Sequence, residues 1–227
     1  MADESRKTNL LRGDAFLRTY LSGRVIDIGA GKDLVCPHAE GFDIADGDAN
    51  TITRHRERGA YDAVHSSHCL EHMRDPAAAL AEWWALVRPG GYLVLVVPDE
   101  DLYEQGIWPS AFNRDHKSTF RLDKTDSWSP VSHDIRRLVG ALPGCEIVSA
   151  EIHDAGYDHS LRMKHGDHRV TKIRWLRLAR SIGKRVPRYG PRLQRYFEDL
   201  AAHRGVPLDQ TAREAVAQIQ VVARKRA

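Results

Sequence analysis

Val25-Ile26-Asp27-Ile28-Gly29-Ala30-Gly31 decides how this 227-residue chain is read. A short β-branched run enters two glycines one residue apart, which predicts a buried strand ending in a tight turn. Glycine at both positions lets backbone N–H groups approach a ligand where any β-carbon would clash. An acid at the end of the next strand, Asp43 in Gly41-Phe42-Asp43-Ile44, can accept both hydroxyls of a ribose. An ordinary strand-end turn uses the same residues, so the turn alone leaves both readings open. A dinucleotide pattern needs a third glycine at position 34, where Leu34 stands. A pyrophosphate also wants a well-formed helix after the turn, and Lys32 to Glu40 is too short and broken to supply one. A nucleoside without phosphates fits better than NAD or FAD.

Working outward, Tyr61-Asp62-Ala63-Val64-His65 predicts a third strand. Asp75-Pro76 opens a helix, since Asp can cap it and Pro suits its first turn. Leu80, Trp83, Trp84 and Val87 follow at helical spacing, and Arg88-Pro89-Gly90-Gly91 ends it. Tyr92 to Val97 is a continuous apolar strand, as expected where both faces are covered. A helix is expected over Ser132 to Leu142, and strands over Glu146 to Ile152 and Ala215 to Ala223. Ala15 to Leu21 reads as a short helix, and residues 1–13 as a polar tail outside the ordered core. Strands alternating with helices predict an α/β sheet with helices on both faces.

The composition, 42% hydrophobic and 29% charged, is that of a globular chain and not of a disordered one. Cys36, Cys69 and Cys145 are too few and too scattered for a disulfide framework or a cysteine-type zinc site. Tyr92 to Val97 is far short of a membrane span, and Met1-Ala2-Asp3-Glu4-Ser5 lacks a signal-peptide pattern. These features predict a cytoplasmic protein without a transmembrane segment. The formal charge of +3 conceals an imbalance. Ser160 to Arg195 holds twelve Lys/Arg and one acid, Asp167, a local +11 that leaves −8 elsewhere. The expected organisation is a tail over 1–13, a core over 14–157 and 211–227, and a basic helical insertion over 158–210. Val170 to Ile182 reads as a basic amphipathic helix within that insertion.

Four segments, in order, resemble a class I S-adenosylmethionine-dependent methyltransferase. They are the strand and turn of Val25 to Gly31, then Asp43 with Gly47-Asp48-Ala49. Tyr61 to His72 follows, including Ser66-Ser67-His68-Cys69-Leu70-Glu71-His72, and Leu86-Val87-Arg88-Pro89-Gly90-Gly91 precedes the apolar strand. The resemblance implies a Rossmann-like sheet and S-adenosylmethionine as cofactor. It also implies roles. Gly29, Ala30 and Gly31 back the methionine portion, Asp27 orients their turn, and Asp43 takes the ribose. Asp48 and Ala49 lie beside adenine, and Ser66, Ser67 and His68 line the methyl side. Asp33 stands where a third glycine is common, and the stretch from Gly31 to Asp43 is short for the family.

Methyl transfer needs proximity and alignment, worth up to ~7–11 kcal/mol in well-oriented cases. An alcohol acceptor also needs a base or a metal, because its own pKa lies far above neutral. His68-x-x-Glu71-His72 is the local candidate. On a helix these residues share one face, and two imidazoles with a carboxylate suit a divalent cation. The pattern is similar to the Glu-x-x-Glu-His of metal-dependent O-methyltransferases, with His68 at the place of the first Glu and His116 as a further ligand. Leu-Glu-His is also widespread in metal-free methyltransferases, where Glu71 caps a helix or holds a loop. Without metal, His116, His72 or His68 is the candidate general base. His116 is preferred, because its post-strand loop should overhang the pocket.

The aromatics of Asp101 to Phe120 and the run His153 to His159 follow strands and face the same end of the sheet. The basic insertion suits a phosphate-bearing acceptor, an anionic membrane surface or RNA, or is simply a solvated helix face. Trp175 is the only tryptophan in it, too sparse for stacking on single-stranded RNA. The sequence therefore predicts O-methylation of a polar hydroxylated small molecule or saccharide. The alternatives are an RNA 2′-O-methyltransferase and a non-catalytic binding protein on the same fold. The oligomeric state is not legible.

Overall fold

The computed structural model describes residues 4–166, 192, 195–196, 199–200, 203 and 205–226. Its frame is a six-stranded sheet in the order β2-β1-β3-β4-β8-β7. The strands are β1 (Val25–Ile28), β2 (Glu40–Phe42), β3 (Tyr61–Ser67), β4 (Val87–Pro98), β7 (Cys145–His153) and β8 (Gln218–Lys225). β1 to β4 pair in parallel, while β8 runs antiparallel to both β4 and β7. β5 (Thr119–Arg121) and β6 (Ser132–Asp134) form a separate two-stranded ribbon. The helices that pack on the sheet are α1 (Glu4–Tyr20), α2 (Pro76–Leu86) and α3 (Ile135–Gly140).

The sheet is covered on both faces. Ile26, Ile28, Val64, Leu93, Leu95 and Val221 form one buried face against α2 and α3. Val25, Ala63, Val94 and Val222 form the other, against Phe16, Leu17 and Tyr20 of α1. Central strands buried on both sides have no use for alternation, which is why Tyr92 to Val97 reads as unbroken apolar sequence. The Asp75 carboxylate accepts from the N–H groups of Ala77 and Ala78, so α2 starts at Pro76 as its sequence predicts. Trp83 and Trp84 are fully buried, and their indole N–H groups donate to Ala49 O and Pro143 O, both at 2.9 Å.

Three expectations change. The helix expected over Ser132 to Leu142 starts at Ile135, because Ser132–Asp134 pairs with β5. Residues 1–13 are not wholly a tail. α1 begins at Glu4, and a non-helical Gly13 (φ 67°, ψ 169°) divides it from the apolar second half. Thr8 is fully buried. The expected second strand stops at Phe42, leaving Ile44 93% exposed at the edge of the site. The predicted amphipathic helix Val170 to Ile182, with Arg174 and Arg177, lies outside the described residues. Among the described residues no helix is long and apolar enough to cross a membrane.

Candidate active site

The parallel strands end where Gly29-Ala30-Gly31 turns away from β1. Gly29 sits at φ 76°, and a Cβ there would lie 2.7 Å from Cys69 Sγ. Only glycine lets the turn pass that close to the loop after β3. Burial pushes the Cys69 thiol up to about 12, so this cysteine is a packing group and not a nucleophile. Asp27 holds the turn from below. One oxygen accepts from Val35 N (2.7 Å), the other from His65 Nδ1 (2.6 Å). Asp43 accepts from Gly31 N (3.0 Å) and Ile44 N (2.7 Å), closing the turn onto the end of β2.

These elements border a cavity of about 780 Å³. Gly29, Phe42, Asp43, Ile44, Asp48 and Ala49 form one side, and His68, His72, Met73, Asn113, Asp115 and Lys117 the other. Of the expected cofactor residues, Gly29, Asp43, Asp48, Ala49 and His68 are therefore in its walls. Asp27, Ala30, Gly31, Ser66 and Ser67 stand behind or beside them. Ser66 Oγ donates to Ile28 O (3.0 Å), and Ser67 Oγ is buried without a partner. The Asp48 carboxylate is held below its ordinary range by hydrogen bonds from Asn50, with Arg74 adding to the effect.

The second half of the cavity backs onto a buried cluster. His68, at φ 53°, bends the chain after β3, and Leu70–His72 forms one tight turn. The helix on which His68, Glu71 and His72 were expected to share a face is absent. Their convergence has another cause. Glu71 O accepts from Lys117 N (2.7 Å) and Ser118 N (3.3 Å), which draws the 113–118 loop onto this turn. Glu71, His72 and His116 each then offer a donor atom within 4.8 Å of the others. His72 Nε2 and His116 Nε2 both lie 3.9 Å from Glu71 Oε1, and His68 Nδ1 lies at 3.6 Å. Glu71 is fully buried, and neither of its oxygens accepts a hydrogen bond. It does not cap α2, a task that Asp75 performs.

Burial pushes the Glu71 carboxyl up, but the contact with His68 and the charges of His68, His116 and His72 outweigh it and hold it low. His116 Nδ1 donates to Glu104 Oε1 (2.6 Å), which leaves its Nε2 without a hydrogen-bond partner. His72 Nδ1 faces only acceptors, Asp115 O (3.2 Å) and Asp115 Oδ2 (3.1 Å), so it carries a proton, and its Nε2 is turned toward Glu71. His116 does not overhang the pocket as expected. It is 5% exposed and lies behind the wall, so His72 and His68 are the imidazoles that reach the cavity.

Glu104 carries no sequence signal, since it lies twelve residues before His116 and is brought in by one π-helical turn, Glu100–Glu104. The His153 to His159 run is a turn and a tie. His159 pairs with Asp154 (2.8 Å), and Tyr157 Oη donates to Leu102 O (2.7 Å). Of the aromatic segment, Tyr103 packs on Phe112 and His116, while Phe120 enters the core.

The sheet's first turn and its second-strand acid thus frame one part of the cavity, and the turn after β3 with the 113–117 loop frames the rest. The family model described as "Methyltransferase domain" matches residues 5–139, and the chain belongs to that family. Family membership does not favour the non-catalytic or RNA-directed alternatives. An uncharacterized 37.1 kDa protein in transposon TN4556 of Streptomyces fradiae is 36% identical over 86 residues. That match covers 35% of this chain and 24% of that protein. A Haemonchus contortus enzyme, titled "Phospholethanolamine N-methyltransferase 2", was solved with phosphomonomethylethanolamine and S-adenosylhomocysteine. Its fold matches with a TM-score of 0.51 at 13% identity, over 97% of this chain and 52% of that one. This chain thus spans about half of that structure. An S-adenosylmethionine-dependent methyltransferase from Archaeoglobus fulgidus matches at 15% identity and a TM-score of 0.46, over 98% and 97%.

Proposed function

We propose that this enzyme methylates a hydroxyl of a polar small molecule or saccharide, with Glu71, His72 and His116 holding a divalent cation. The observation that carries this reading is a buried carboxylate without a hydrogen bond, faced by His72 Nε2 and His116 Nε2 at 3.9 Å, all within one cluster of donor atoms. A buried carboxylate flanked by imidazole nitrogens is a donor set that a bound cation satisfies. The donor set of one carboxylate oxygen and two imidazoles suits a divalent first-row ion, and Glu104 fixes the ring of His116 as outer partners of metal ligands do. The cation would act as a Lewis acid toward the acceptor hydroxyl.

The chain's residues supply the rest. Asp43 holds the ribose, Gly29 admits the sulfonium end, and His68 and His72 border the acceptor chamber. The acceptor oxygen forms a bond to the methyl carbon as the carbon–sulfur bond breaks. S-adenosylhomocysteine leaves as a neutral thioether, and the hydroxyl proton passes to solvent through the His-lined wall. The wall on this side offers the polar side chains of Asn113, Asp115 and Lys117 to an acceptor. Methyl transfer to a panel of hydroxylated acceptors, with and without chelation, tests the reading. Activity should fall on chelation and return with a divalent ion. Full activity in protein shown to be metal-free overturns the metal assignment.

A further inference from the structure

The stretch from Gly29 to Val35 is held from behind by a closed circuit of hydrogen bonds. Val35 is buried, and both of its backbone groups are used. Its N–H donates to Asp27 Oδ2 (2.7 Å), and its carbonyl accepts from Asn9 Nδ2 (2.8 Å). Asn9 Oδ1 accepts from Arg12 Nη1 (3.1 Å). The same Nη1 donates to His65 Nε2 (3.2 Å), and His65 Nδ1 donates to Asp27 Oδ1 (2.6 Å). The circuit therefore runs from Val35 through Asn9, Arg12, His65 and Asp27 back to Val35. His65 and Asp27 face one another because they are register partners on the paired strands β3 and β1.

The direction of every bond in this circuit is fixed by its neighbours. A guanidinium and a backbone N–H only donate, and a carbonyl and a carboxylate only accept. Asn9 must therefore turn its oxygen to Arg12 and its nitrogen to Val35. His65 must hold a lone pair at Nε2 and a proton at Nδ1. An imidazolium would set one N–H against another at Arg12, and a ring protonated only at Nε2 would also set a lone pair against the Asp27 carboxylate. His65 is fully buried, and burial lowers its pKa, with Asp27 opposing and Arg12 assisting. Its remaining surroundings are uncharged: Val94 lies across from it on β4, and Gln220 of β8 takes the Nε–H of Arg12 (2.7 Å). Burial lowers Arg12 to about 10, so that group stays cationic at neutral pH. Both oxygens of Asp27 are occupied by internal donors, which leaves this acid to act on a ligand through the turn alone. The circuit stands behind the cavity wall and reaches it at Gly29, two residues beyond Asp27.

We propose that His65 is a positioning residue for cofactor binding: held by Arg12 as a neutral Nδ1–H donor, it fixes the Asp27 carboxylate on which the turn from Gly29 to Val35 is set. Neither His65 nor Arg12 touches the cofactor. A short bond from a buried donor to a carboxylate is among the stronger neutral-to-charged contacts, and a binding turn is only as well placed as the groups that support it. The inference rests on reading Gly29-Ala30-Gly31 as the cofactor turn and is independent of the metal.

Calorimetry with S-adenosylhomocysteine on His65→Leu and His65→Asn tests it. Asparagine keeps an N–H donor at the place of Nδ1, whereas leucine fills the space without one. His65→Leu should weaken binding about 10- to 100-fold, and His65→Asn less than about 3-fold. Both replacements remove the ring from the core, so a role in packing alone gives equal losses. Equal losses, or no loss in either, overturn the proposal. Binding by the unaltered protein tests the turn itself: no binding there refutes the cofactor turn, while binding with equal losses in the variants refutes only the role of His65. Nitrogen NMR of the unaltered protein gives a reading that no variant's folding can disturb. With its resonances assigned through its own backbone, His65 should carry a proton on Nδ1 and none on Nε2 from about pH 5.5 to about pH 8. A proton on Nε2 within that window overturns the assigned donor.

Discussion

Glu71→Gln separates two accounts of the buried cluster by the sign of a stability change. If His72 and His116 present lone pairs, the wild-type carboxylate is an uncompensated charge in the metal-free protein. Glutamine has nearly the same shape, and its amide N–H groups can donate to the nitrogens now 3.9 Å away. Relieving one buried unsatisfied group is worth about 1–3 kcal/mol. In a chain of this size each kcal/mol moves Tm by roughly 2–4 °C. In chelator, Glu71→Gln should therefore melt about 2–12 °C above wild type. Adding manganese at about 100 times its Kd should stabilise wild type by about 2.7 kcal/mol. It should leave the variant unmoved, so the order of the two proteins closes or inverts. Differential scanning fluorimetry on both, with and without metal, reads this without any activity measurement. The competing account has protonated imidazoles with Glu71 as their counter-ion. Breaking a buried pair of that kind costs about 3–5 kcal/mol. A variant that melts lower than wild type in chelator, beside a wild type indifferent to metal, refutes the reasoning.

Three further outcomes are expected. Asp43→Ala should lower cofactor affinity by about 100-fold or more and lower Tm by a few degrees, because its charged hydrogen bonds serve both the turn and the ribose; unchanged calorimetric affinity counts against the assigned ribose site. Burial raises Asp99 to about 6, so the folded state keeps this proton longer than the unfolded one. Stability is then fullest at low pH and declines by up to about 3 kcal/mol as pH climbs through 6. Asp99→Asn retains an oxygen for the N–H groups of Asp101 and Leu102, and its advantage over wild type in urea melts should grow from pH 4.5 to pH 7.5; a constant difference is inconsistent with the shift. Trp83→Ala should cost about 3–5 kcal/mol in the same melts, and Trp83→Phe, which removes the bond to Ala49 O and leaves part of the indole's space empty, about 2 kcal/mol.

The elements that sequence reasoning found are those whose information is local. Asp75-Pro76 followed by Leu80, Trp83 and Trp84 contains the cap, the first turn and the buried face of α2 within a dozen residues. β1 and the Tyr92 to Val97 part of β4 announce themselves because burial on both faces leaves apolar runs, broken in β1 only by Asp27. The first half of α1 escaped for the converse reason. Hydrophobic periodicity reports helices that bury apolar stripes, and this one is held by Lys7, Thr8, Asn9 and Arg12. β6 escaped because its partner β5 lies across an irregular loop, and because Ser132 is recruited by Glu100 and Arg121.

At the site, residue types were more legible than their arrangement. His68, Glu71, His72 and His116 were singled out by chemistry, yet the helix invoked to bring them together does not form. Their meeting depends on two backbone N–H groups, of Lys117 and Ser118, bonding one carbonyl. Whether an imidazole offers a proton or a lone pair depends on its other nitrogen, and hence on Glu104 and Asp115. Those partners lie 12 residues before His116 and 43 after His72. A histidine motif can therefore be metal-binding or acid–base machinery with identical letters, and the choice lies in contacts that no spacing rule encodes. The same holds for Arg12, an unremarked arginine in a polar segment until its fork is seen joined through His65 to the first acid of the cofactor turn.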